Sequence, residues 1–136
     1  MKTKFFLTTA LIFAGVLIFS VITAFQQKKP WVVPDKYEKM KNTVASNAES
    51  LKNGKELWTR NCQSCHGKSG HGDGSKAAQL KTEPGNLSLP EDQKQSDGSL
   101  FYKISEGRDD MPNFKKKIPD AEDIWSVVNY IRSFKS

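Results

Sequence analysis

Cys62-Gln63-Ser64-Cys65-His66 is the stretch on which the reading of this chain turns. Its two cysteines are the only ones in 136 residues, and the chain has just one other histidine, His71. A bridge across two intervening residues would constrain almost nothing of the unfolded chain, so the pair is chemical rather than a structural disulfide. A thioredoxin-like redox pair would follow a strand, whereas Lys52 to Asn61 before the motif reads as helix. A zinc shell needs four ligands. Only Cys62, Cys65, His66 and His71 offer sulfur or imidazole, and His66 abuts Cys65, a poor arrangement for a tetrahedron.

The spacing C-x-x-C-H instead matches attachment of a c-type haem. Each thiol adds across one vinyl group of the porphyrin, and the next residue is carried under the iron as its proximal ligand. Cys62 and Cys65 are thus the expected thioether positions of one covalent haem c, and His66 the first axial ligand. The second is approached by elimination. Met1 starts the chain and Met40 lies in a polar stretch, leaving Met111 as the methionine of the folded region. Pro112 biases it to an extended conformation, and Arg108, Asp109, Asp110 and Asn113 around it describe an exposed loop. His71 follows His66 by five residues, so it stays on the proximal side and is expected to face solvent.

Outward from the motif, Gly54, Leu57, Trp58 and Asn61 share one helical face that leads directly into Cys62. Gly67, Gly70, Gly72 and Gly74 mark an irregular loop after it. A short helix is expected from about Gly98 to Glu106, with Asp97 as its cap and Gly107 ending it. Ile124, Val127, Val128, Ile131 and Phe134 form the clearest apolar stripe, N-capped by Asp120. A domain of this size buries little core alone, and a flat apolar ring between helices and loops would supply more.

Residues 5–25 carry no charge, with Lys2 and Lys4 ahead of them, a length sufficient to cross a bilayer as a helix. The run is long for the apolar part of a cleaved signal. Residues 1–25 are therefore read as a membrane anchor, with a cleaved signal as the alternative, and residues 26–48 as a tether. Residues 49–136 form the folded domain, placed outside the cytoplasm in both cases, on the periplasmic side of the cytoplasmic membrane or soluble in the periplasm. Trp31 rests at the headgroup level or packs on the domain; both readings stay open.

The formal charge is +6. Its excess lies before the cysteines: residues 26–60 hold eight Lys/Arg against four Asp/Glu, and residues 61–136 eleven against eleven. A nucleic-acid reader would hold its basic surface on the folded domain, so that class is set aside. Lys115, Lys116 and Lys117 form a local basic cluster. It either steers an acidic partner or is merely solvated.

With these residues in place, the chain resembles a class I cytochrome c over about residues 50 to 136. The likeness rests on Gly54-Lys-Glu-Leu-Trp58, Cys62-x-x-Cys65-His66-Gly67, the Gly70-His-Gly-Asp-Gly74 loop, Gly107-Arg-Asp-Asp-Met111-Pro112, and Trp125 to Ile131. The resemblance implies an all-α cytochrome c fold whose first and last helices cross near the haem edge, Gly54 and Trp58 meeting Val127 and Tyr130. It also implies that a proline carbonyl, here that of Pro84, accepts from the second nitrogen of His66 and orients the ring. His/Met ligation leaves no open iron position. The expectation is a single-electron carrier of a respiratory chain working with redox protein partners, a membrane oxidoreductase complex among them, without a small-molecule substrate and not itself an enzyme. The competing readings are the cytochrome subunit of a dehydrogenase or oxidase complex, and a ligand-binding haem protein with a labile Met111.

Overall fold

The computed structural model describes residues 30–135. The expected membrane segment, residues 5–25, lies outside them. Among the described residues no helix is long and apolar enough to cross a membrane. Regular structure there is helical: α1 (Asp35–Glu38), α2 (Ala48–Asn61), α3 (Gln63–His66), α4 (Pro90–Gln93), α5 (Asp97–Glu106) and α6 (Ala121–Arg132), with a 3-10 turn at Ala77–Gln79. The only pairing of extended backbone among them is an isolated antiparallel bridge between Arg108 and Met111.

Helix α2 begins earlier than its apolar face suggests. Asn47 accepts from the Ser50 amide at 2.9 Å while the Ser50 hydroxyl accepts from the Asn47 amide at 3.1 Å. This reciprocal cap satisfies two donors that a helix start otherwise leaves orphaned. Helix α5 also differs from expectation: its cap is Ser96, which accepts from the Ser99 amide at 3.0 Å. Asp97, the expected cap, lies one residue inside and pairs instead with Arg132 at 2.7 Å. Asp120 caps α6 as expected, accepting from the Glu122 amide.

The core is built where α2 crosses α6. Leu57 and Trp58 from α2, Ile124, Trp125, Val127, Val128 and Ile131 from α6, and Leu100 and Ile104 from α5 are all buried. Gly54 makes the crossing this close: a Cβ there would lie 2.0 Å from the Ser126 carbonyl oxygen and 2.9 Å from the Tyr130 Cβ. At the edge of the crossing Asn53 donates to Asp123 at 2.7 Å.

The compact unit starts at Val33, well before the boundary expected at residue 49. Much of the stretch expected as a tether thus lies on the helices. Buried Asn129 donates to the Val44 carbonyl at 3.1 Å and accepts from the Asn42 amide group at 2.8 Å. Tyr37 packs on Tyr102 with ring centroids 4.7 Å apart. Gly98 admits this strap, because a Cβ on it would fall 1.8 Å from the Tyr37 carbonyl oxygen. The polar composition of 35–47 reads as solvated linker, yet its amides and carbonyls are what a buried asparagine on a neighbouring helix needs.

Candidate functional site

The motif sits on a break between two helices. Cys62 ends α2 and starts α3, and the four residues of α3 carry Cys65 and His66 around one turn. Cys62 is buried and Cys65 half-buried; both are free thiols. Burial, with a smaller contribution from Cys65, pushes the Cys62 thiol up to about 12.

A helix this short exposes most of its carbonyls, but the chain around it satisfies them one by one. The Cys62 oxygen accepts from the Cys65 and His66 amides, and that of Gln63 from the Gly67 amide. The loop then folds back. Lys76 donates to the Ser64 oxygen at 2.8 Å, Gly74 to Cys65 at 3.2 Å and Gly72 to His66 at 2.9 Å. Finally the buried Trp58 indole donates to the Gly67 oxygen at 3.0 Å. A Cβ on Gly74 would meet the Ser64 and Cys65 carbonyls at 2.5 and 2.6 Å, so the glycine-rich sequence is what lets the loop approach. Every carbonyl from Cys62 to Gly67 thus accepts a hydrogen bond.

His66 packs against Trp58, ring centroids 5.7 Å apart, and Trp58 in turn meets Tyr130 and Phe134. Burial lowers the imidazole's affinity for a proton, favouring the neutral ring that a metal requires. Its Nδ1 atom is buried without a hydrogen-bond partner. The expected bond to the Pro84 carbonyl is therefore not formed in this structure. The backbone around Pro84 is pinned elsewhere: the Leu87 amide donates to the Gly70 oxygen at 2.7 Å, and a Cβ on Gly72 would lie 2.4 Å from the Gly85 oxygen. His71 is exposed.

Met111 is half-buried and packs on the edge of the core cluster that contains Cys62. Its backbone closes a tight turn with Arg108 through two bonds of 2.9 and 2.8 Å, with Asp109 at a left-handed φ of 51°. The turn is tied to the end of α5, since the Phe114 amide donates to Ile104 and that of Lys115 to Ser105. It is also tied across the molecule, where one Asp110 oxygen accepts from the Lys81 and Thr82 amides at 2.8 and 2.9 Å. Of the lysine cluster, Lys115 pairs with Glu106 at 2.9 Å and Lys117 lies 5.8 Å from the Phe114 ring centre. That ion pair, through its hydrogen bond first, holds the Lys115 ammonium above its ordinary range.

A family model described as cytochrome C oxidase, cbb3-type, subunit III matches residues 49–131. This chain belongs to that cytochrome c family. Its fold is that of a class I cytochrome c, and such a domain works by haem-based electron transfer. No curated protein matches the chain. Among solved structures it is similar to a reducing HAO-like protein complex of Kuenenia stuttgartiensis, with a TM-score of 0.62 and 20% identity. The match covers 84% of this chain and 54% of that one, so this cytochrome spans about half the length of its structural neighbour. At that identity the likeness speaks for the fold.

The residues present fit a haem. Two unpaired thiols lie on one turn whose carbonyls are all hydrogen-bonded, beside a half-buried imidazole whose proton affinity burial lowers, which favours the neutral ring an iron would take. Among the described residues no group of three or more His, Cys, Asp or Glu side chains is placed to hold a metal ion. Sequence reading missed the Trp58 indole bond and the Asp110 bonds. The first had a signal in the nine-residue spacing of Trp58 from Gly67; the second spans 29 residues and had none.

Proposed function

We infer that this cytochrome is a single-electron carrier with one haem c, bound as thioethers to Cys62 and Cys65 and ligated axially by His66 and Met111. The observation that supports the reading is the Cys62–Gly67 turn, whose backbone carbonyls all accept hydrogen bonds and which carries both thiols and His66 on one short stretch. When bound, the haem supplies an iron that gains and loses one electron. The chain's residues do the rest. Burial favours neutral His66, Trp58 packs beside its ring, and Met111 lies on a backbone turn tied to α5. With His66 and Met111 both holding the iron, the centre would have no place for oxygen, peroxide or a substrate, and no enzyme activity is proposed.

The lone C-x-x-C-H motif supports one haem. The uncharged run of residues 5–25 supports export, with the domain held at the outer face of the cytoplasmic membrane or released to the periplasm. A second reading has its own support. The family's description is that of an oxidase subunit, and the structural neighbour belongs to a multiprotein complex. On this reading the domain passes electrons within an oxidase or dehydrogenase assembly, and its partners are other redox proteins.

The test is spectroscopic and chemical. Protein from a host competent for haem attachment, denatured and extracted with acid, retains its colour and a mass increased by one haem. Reduced protein binds carbon monoxide slowly and incompletely, whereas Met111→Ala binds it fast and has a lower reduction potential. A colourless polypeptide sinks the haem assignment, and an unchanged spectrum in Met111→Ala removes that residue from the iron.

A further inference from the structure

The exposed carboxylate next to Met111 makes two bonds that electron carriage does not by itself explain. Asp110 Oδ2 accepts from the amides of Lys81 and Thr82, two consecutive donors aimed at one oxygen. Charge-assisted bonds of this kind are stronger than neutral ones and define direction as well as distance. The segment they reach is continuous with Leu87, whose amide donates to the Gly70 oxygen, and Gly70 lies in the loop that folds back on the motif. Asp110 therefore joins the turn carrying Met111 to the loop system that holds His66.

On its other side the same turn is fastened to the end of α5 by the Phe114 and Lys115 amides. A turn held at one end swings; held at both ends, it has one position. We propose that Asp110 is a positioning residue for Met111, and that its clamp on Lys81 and Thr82 keeps the thioether on the iron and external ligands off it. This rests on the His/Met reading above. Asp109 supplies the control: it is adjacent, carries the same charge and faces Arg108 at 3.4 Å, and asparagine in its place removes the charge while tolerating the left-handed backbone.

The experiment compares Asp110→Ala, Asp110→Asn, Asp109→Asn and Met111→Ala in the holoprotein. Three readouts are taken: the rate of carbon monoxide binding to the reduced form, the far-red sulfur-to-iron absorption band of the oxidised form, and hydrogen exchange at the Lys81 and Thr82 amides. Freeing the turn should raise the population of the open form, and with it the carbon monoxide rate, by about tenfold in Asp110→Ala. The sulfur–iron band weakens and the two amides exchange faster. Asp110→Asn keeps an acceptor oxygen and should restore the parent rate to within about twofold. Asp109→Asn should leave all three readouts unchanged.

An Asp110→Ala protein that binds carbon monoxide at the parent rate, while Met111→Ala binds it fast, overturns the clamp and leaves His/Met ligation standing. Equal acceleration in Asp109→Asn and Asp110→Ala also overturns it, because the effect would then be one of charge. If Met111→Ala itself matches the parent, the ligation reading fails and this one with it. Exchange at Lys81 and Thr82 is read independently of the iron: unchanged protection in Asp110→Ala contradicts the bonds themselves.

Discussion

Replacing Gly54 with alanine sets two known effects against each other, and the structure decides the sign. In the interior of a helix the change from glycine to alanine is worth about 1 kcal/mol of stability. Here the added methyl would lie 2.0 Å from the Ser126 oxygen and 2.7 Å from its carbonyl carbon. Both are main-chain atoms of α6 and cannot rotate away, so α2 must retreat. Overpacking of this kind costs about 1–3 kcal/mol, and more where the backbone has to move. The retreat also loosens Leu57 and Trp58, buried on the same helix. A net loss of about 1–2 kcal/mol is expected, which lowers the melting temperature of a domain this size by roughly 5–15 °C. Thermal and urea unfolding of the holoprotein, followed by far-ultraviolet circular dichroism, measures it. Lys55→Ala, one residue on and exposed, serves as the control and should change little. A Gly54→Ala protein as stable as the parent would mean the helices do not cross at this distance.

Trp58→Phe keeps the ring but strands the buried Gly67 carbonyl, and should cost about 1–3 kcal/mol in urea unfolding; a smaller loss would show the indole bond to be dispensable. In the haem-free chain at pH 8, a Cys62 thiol pushed from 9.0 to about 12 is roughly a thousandfold poorer in thiolate. Alkylation should therefore reach Cys65 well before Cys62, and urea should abolish the difference; equal rates without urea contradict the burial of Cys62. Raising salt should slow reduction by an acidic redox partner, and replacing Lys116 and Lys117 with glutamine should flatten that dependence. If the parent rate is already flat with salt, the cluster steers nothing.

What could be read without coordinates is local chemistry and period. The C-x-x-C-H spacing limits the cofactor because two thiols and an imidazole must meet one ring within a single turn. The α6 stripe is visible because burial on one face repeats with the helical period, and Asp120 caps it through its own neighbours. At α5 the cap is Ser96 and not the neighbouring Asp97, whose partner is Arg132, 35 residues away.

The tertiary structure alone decided which distant backbone groups meet. Residues 35–47 carry no periodic apolar signal, yet Asn129 and Gly98 bring them into the compact unit. The orphaned His66 nitrogen, the loop that closes over the motif and the Asp110 clamp likewise join residues whose order along the chain says nothing of their proximity. Hydrogen bonds to main-chain atoms are the reason. Every residue offers nearly the same amide and carbonyl, so side-chain identity cannot reveal the partner, and only the path of the folded chain selects it.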